Sequence, residues 1–174
     1  MTLTSRLRSP IHFGLKVLGA LAFLAPLATR LVIGQAFFLT GRGKLENFPR
    51  TVEFFASLGL PMPELNAAFV SRLEFYGGIL LVVGLATRLV AAGLASTMVV
   101  ALLTADRQTF LDALRGAGDS GLTDVTPFVY LLFLGWLVLA GPGAASLDRL
   151  LFSRFTRDEE PVASANQPAG AAAV

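Results

Sequence analysis

The sequence predicts an all-α integral membrane protein, a four-helix bundle with a short interfacial helix between spans one and two. Two observations carry this. Of 174 residues, 54% are hydrophobic and only 15% charged, where soluble domains average about 25% charged. The apolar residues also fall in runs long enough to cross a bilayer, whose core of about 30 Å needs about 20 residues at 1.5 Å each. Val17 to Thr40 contains one charge, Arg30; Phe75 to Ala105 contains one, Arg88; Val125 to Leu147 contains none. The middle run, as one helix, would be about 46 Å long, so it is expected to be two helices joined by a turn at Ala86-Thr87-Arg88. Four spans follow, at 22–43, 67–87, 88–105 and 125–142.

Each element has local signals. Pro26 falls in the first turn of span one, where a missing N–H is harmless. The segment between Leu45 and Asn66 places Phe48, Val52, Phe54, Phe55, Leu58 and Leu60 at the spacing of an amphipathic helix lying in the membrane interface. Gly59 and Pro61-Met62-Pro63 end it. From Asp106 to Asp124 the chain reads as a polar loop with Gly116, Gly118 and Gly121. Pro127 opens span four, with Asp124 or Thr126 expected as its N-cap, and Gly141-Pro142-Gly143 closes it. Flanking the membrane domain of residues 22–150 are a basic cytoplasmic or interfacial segment, 1–21, and an Ala/Pro/Gly/Glu-rich tail, 151–174, expected to be disordered. A cleavable signal peptide is the rival reading of the N-terminus, but its Ala20-Leu21-Ala22 site falls inside an apolar stretch that continues to Leu39.

Basic residues orient the bundle. With four spans both termini share a side, which carries Arg6, Arg8, Lys16, Arg88, Arg149, Arg154 and Arg157. The other side carries Arg42, Lys44, Arg50, Arg107 and Arg115. Seven against five favours a multi-pass arrangement with both termini inside, in the cytoplasm.

Composition excludes several chemistries. No cysteine rules out disulfides and cysteine metal sites, and His12 alone cannot form a histidine cluster. No metal or intrinsic cofactor is expected. A net charge of +2 gives no case for nucleic acid. No catalytic residue is assigned, and enzymatic activity is left open.

The informative residues are charges inside spans, which are costly and usually face a partner or a cavity. Arg30, Gly34, Phe37, Gly41 and Lys44 share one face of span one, and Glu74, Gly77, Leu81, Gly84 and Arg88 share one face of span two. Gly34, Gly41, Gly77, Gly78 and Gly84 allow close helix packing. The two faces are expected to meet, with Glu74 paired to Arg30 or to Lys44 depending on register. Either these charges staple two helices, or Arg30, Lys44 and Glu74 form a polar intramembrane pocket for a small polar or quinone-like headgroup. Arg72 is expected to snorkel to the interface, Tyr76, Tyr130 and Trp136 to act as anchors, and the small residues from Ala91 to Thr97 to serve packing.

Several ordered motifs resemble the DoxX family of small bacterial membrane proteins. They are Pro26-x3-Arg30-Leu31-x2-Gly34, Gly41-x-Gly43-Lys44-Leu45 and Phe55-x2-Leu58-Gly59-Leu60-Pro61-x-Pro63. They continue as Glu74-x2-Gly77-Gly78-x-Leu80-Leu81-x2-Gly84-Leu85-x-Thr87-Arg88 and end at Gly141-Pro142-Gly143-x2-Ser146-Leu147-Asp148, together covering about residues 24–150. The resemblance implies a four-helix inner-membrane protein, similar to the membrane subunit of an archaeal thiosulfate:quinone oxidoreductase, with quinone as a candidate ligand. It also implies a soluble redox protein as partner; the apolar runs themselves imply the lipid bilayer, and association into a homo-oligomer is left open. Many relatives carry a histidine where this chain has Thr40, so histidine-dependent chemistry is not expected. The alternative function is a lipid- or solute-binding, or chaperone-like, membrane protein without a redox role.

Overall fold

The computed structural model describes residue 19 and residues 21–117 and 121–155, with side chains described as far as Leu151. Most of the N-terminal segment, including His12, and the tail beyond 155 lie outside the described residues. Those described are helical and contain no strand. The helices are α1 (Leu24–Glu46), α2 (Phe48–Ser57), α3 (Pro63–Val83), α4 (Thr87–Leu103), α5 (Arg107–Arg115), α6 (Thr126–Ala140) and α7 (Leu147–Phe155), with a short 3₁₀ turn at Leu122–Asp124.

Helices α1 and α3 have the length and apolar character to cross a membrane. A third crossing is available if α4 and α5, bent by 79° at their junction, act as one broken span, while α6 is apolar but has only 15 residues. At 1.5 Å per residue α6 is about 22 Å long, short of the hydrocarbon core, so length alone does not establish the expected fourth span. The surface supports a lipid environment. Val32, Leu89, Leu103 and Leu139 are exposed at 65%, 77%, 65% and 81%, which water would penalise and lipid tolerates.

Helix boundaries follow local chemistry. Pro26 lies in the first turn of α1, and at the other end the Asn47 backbone N–H and side-chain Nδ2 both donate to the Gly43 carbonyl. Pro63 opens α3 four residues before the expected start of span two. That helix also ends four residues early, because Gly84 adopts φ +73° and its N–H returns to Leu80 O and Leu81 O. The turn therefore occupies 84–86, and Thr87 and Arg88 belong to α4. Three further expectations are corrected. Half of the expected polar loop is α5, an amphipathic helix closed by Gly116 at φ +66°. The tail boundary at 151 falls inside α7, whose Leu147, Leu150 and Leu151 interleave with Asp148 and Arg149 in a helical pattern. Neither proposed N-cap serves α6: Asp124 instead accepts the Gly121 N–H at 2.8 Å, turning the chain one step earlier.

The most extensive contact joins α1 to α3, followed by α4 to α6; α3–α4 and α1–α6 contacts connect the two pairs. Ile33, Phe37, Leu81, Leu94, Leu134 and Leu137 form the buried centre between them. The interfacial candidate, α2, is present as a helix and packs on α3 through buried Phe55, while Thr51 bonds back to Lys44 O and Asn47 O.

Candidate functional site

Three glycines set the α1–α3 register. A Cβ on Gly34 would lie 2.8 Å from Gly78 O, one on Gly41 2.8 Å from the Glu74 carbonyl carbon, and one on Gly78 2.9 Å from Phe38 Cα. The backbones touch where side chains would normally stand. Gly77 faces the other way, toward Val90 and Leu94 of α4. Gly84 is not a packing glycine within a helix; it is the left-handed end of α3, and its missing side chain leaves room for Arg30.

This register selects the partner of Glu74. Side chains on a helix lean toward its N-terminus. Because α1 and α3 are antiparallel, Lys44 leans back along α1 toward Glu74, and Glu74 leans along α3 toward Lys44. Lys44 Nζ donates to Glu74 Oε1 at 2.5 Å, with the Glu74 side chain 2% exposed and that of Lys44 31%. Glu74 Oε2 is buried and has no hydrogen-bond partner.

Arg30 leans the same way as Lys44, but from a position already N-terminal to the level of Glu74, so it leans away from the pair and does not join it, which corrects the single three-residue pocket. It is buried beside Gly84, and its Nη2 donates to Ala145 O, in the segment leading to α7; Nε and Nη1 are buried without a partner. Nearby, the Asp148 carboxylate accepts the Ala86 and Thr87 backbone N–H groups at 2.6 and 2.9 Å. Asp148 thus docks α7 on the α3–α4 turn, a role the sequence reading missed. Arg72 donates to Ala68 O on its own helix at an exposed position, Tyr130 packs against Phe37 with centroids 5.5 Å apart and the rings tilted by 55°, and Tyr76 and Trp136 are more than half exposed.

The Lys44–Glu74 pair borders a cavity of about 350 Å³ between α2, α3 and α4. Its walls are mostly apolar, with Phe54, Phe55, Phe69, Val70 and Met98 among them, and the polar contributions of Asn66, Ser96, Thr97 and Thr104. None of these four was singled out from the sequence for a site role, and Ser96 and Thr97 were read as packing. The available signal was spacing: Thr97 and Thr104 stand seven residues apart within the expected span 88–105, although α4 itself ends at Leu103. A mostly apolar pocket with a few polar groups is the usual form of a small-molecule site. Among the described residues no three acidic or histidine side chains converge as a metal site would require.

An all-α protein with an exposed apolar surface, and with a buried carboxylate paired to a lysine beside an apolar cavity, is a membrane protein. The comparisons place it more narrowly. The DoxX family model matches residues 25–107, a range that holds Arg30, Lys44 and Glu74. "Inner membrane protein YphA" of Escherichia coli (strain K12) is 32% identical over 71% of this chain and 87% of its own length. "Uncharacterized membrane protein Rv3486" of Mycobacterium tuberculosis (strain ATCC 25618 / H37Rv) is 32% identical over 73% and 81%. "Putative oxidoreductase CatD" of Bacillus subtilis (strain 168) is 36% identical over 47% of this chain and 59% of its own length. No solved structure matches. The chain belongs to the DoxX family.

Proposed function

We propose that this protein is a small inner-membrane subunit of a quinone-linked redox assembly, and that the Lys44–Glu74 cavity holds the quinone headgroup. The observation that carries this reading is a buried carboxylate with one oxygen paired and one unpaired, at the edge of an apolar cavity large enough for a substituted ring. Cavities of about 300–1,000 Å³ with apolar walls and one polar anchor suit ligands that combine a polar head with an apolar tail. Phe54 and Phe69, 50% and 59% exposed, mark a route by which a tail reaches lipid. The oxidoreductase name of the Bacillus relative agrees with a redox setting. A soluble redox protein exchanging electrons with the bound ring is the partner this role requires.

The proposed topology is four crossings with both termini cytoplasmic, α4 and α6 forming the shorter spans. Reporter fusions after Arg154 should then report the cytoplasm and fusions near Gly118 the exterior; a periplasmic signal at Arg154 would remove this arrangement. The ligand test is mass spectrometry of organic extracts from detergent-purified protein. Quinone or quinol should co-purify near one per chain and be lost from Ala101→Phe, which fills the cavity. Phospholipid alone, retained equally by both proteins, would overturn the redox reading in favour of a lipid-handling one.

A further inference from the structure

The cavity is rich in acceptors and poor in donors. Each hydroxyl on its wall has one hydrogen, and each gives it to its own helix: Ser96 Oγ to Gly93 O at 2.6 Å, Thr97 Oγ1 to Leu94 O at 2.8 Å and Thr104 Oγ1 to Val100 O at 2.7 Å. What these side chains leave to an occupant is lone pairs. Glu74 Oε2 is a further acceptor without a partner, and the opposite oxygen is held by Lys44. On the donor side stand Lys44 Nζ and the amide hydrogen that Asn66 does not give to Pro61 O. A buried carboxylate oxygen left unmatched is costly, so the favoured occupant brings a hydrogen.

We infer that the cavity prefers a hydroxyl-bearing aromatic amphiphile, a quinol or related phenol, over the fully oxidised quinone. A quinone presents only carbonyl acceptors. It satisfies Lys44 and brings no hydrogen for Glu74 Oε2. A quinol O–H donates to Glu74 Oε2 while its oxygen accepts from Lys44 Nζ, so one ring substituent matches both members of the ion pair. The inference rests on the quinone-site reading above and adds which redox form is retained.

The test uses the full chain in detergent, under anaerobic conditions, with three probes: a short-tailed benzoquinol, the matching quinone and the dimethyl ether of the quinol. One charge-assisted hydrogen bond corresponds to about ten-fold or more in affinity, so the quinol should bind at least about ten-fold tighter than either other probe. In Glu74→Gln the side chain can turn an N–H toward the ligand, and the preference should vanish or invert. Thr97→Val, which removes a cavity acceptor with little change of shape, should narrow it. Equal binding of quinol and quinone by the wild type, or an unchanged ratio in a folded Glu74→Gln protein, would overturn the preference and leave the site reading standing. Failure of all three probes to bind folded wild-type protein would overturn both. Should Glu74→Gln not fold, the wild-type ratio of quinol to dimethyl ether decides by itself.

Discussion

Arg30 and Lys44 lie on one face of α1, about 21 Å apart along its axis, and meet opposite surroundings. The Arg30 guanidinium is enclosed. Gly84 makes space for it, Ala145 O accepts from it, and the α3–α4 turn and the start of α7 close around it. The Lys44 side chain is one-third exposed, reaches a buried carboxylate and stands beside a cavity. Both bases lean toward the N-terminus of α1, and their position along it makes the difference. On antiparallel helices, Lys44 and Glu74 lean toward each other, while Arg30 leans past the end of α3 into the connections. Equivalent charges in one helical stripe can therefore staple connections at one end and line a cavity at the other.

The contrast depends on the α1–α3 register, so its most severe test is steric. Gly41→Val places side-chain atoms against the Glu74–Phe75 backbone, which cannot move aside as a flexible side chain would. Overpacking in a core commonly costs about 1–3 kcal/mol, and contact with backbone should exceed the upper end. Gly41→Val should therefore give little folded protein in detergent, whereas Gly43→Val, with open space around the position, should melt close to wild type. Equal melting of the two variants would break the register and the pairing with it.

The next largest effect concerns the pair. Removing one member of a buried ion pair costs about 3–5 kcal/mol in soluble proteins, and less in membranes, where snorkelling and water defects relieve the stranded charge. Glu74→Gln should lower thermal stability more than Glu46→Gln, whose carboxylate pairs with Arg42 on an exposed helix face. Adding Lys44→Met should recover part of the loss, and adding Arg30→Met should simply sum. Recovery with Arg30→Met in place of Lys44→Met would reverse the assignment.

How much of this was legible in the sequence depended on the range of the interaction. Helices α1 and α3 were visible because long apolar runs and a repeated 3–4 spacing are local properties. The same stripes brought Lys44, Glu74 and Arg30 into view as charges needing an explanation. Register was not legible: spacing alone left Glu74 free to meet either base, and only the contacts of Gly34, Gly41 and Gly78 with the opposite backbone resolve it. Ser96, Thr97 and Thr104 were hidden for another reason. Small hydroxyl residues satisfied by their own helix look like packing residues until a cavity lies beside them. Asp148 was invisible in its role because the groups it caps, on Ala86 and Thr87, are about sixty residues away in the chain. Helix α5 was missed because glycines beyond it outweighed the Phe110, Leu111 and Leu114 pattern within it.

The smallest effect asks whether the two ends act separately. Ala86 is held at φ +49°, an unfavourable conformation for a residue with a Cβ, and its N–H and that of Thr87 are both accepted by Asp148. Replacing a capping side chain by alanine costs about 0.5–2 kcal/mol. The middle of that range applies to Asp148→Ala: water can replace the carboxylate at the exposed Ala86 N–H, but Thr87 is buried and its N–H loses its partner. Asp148→Asn retains one acceptor oxygen and should lose less. Asp148 belongs to the Arg30 end, and the pair at Lys44 lies some four turns of α1 away, so the two sites share no contact. The double variant Asp148→Ala/Glu74→Gln should then lose the sum of its singles to within about 0.5 kcal/mol, and quinol affinity should not change with Asp148→Ala alone. A larger deviation, or a change in affinity, would mean that α3 transmits the state of its C-terminal turn to Glu74, and that staple and site are one mechanical unit.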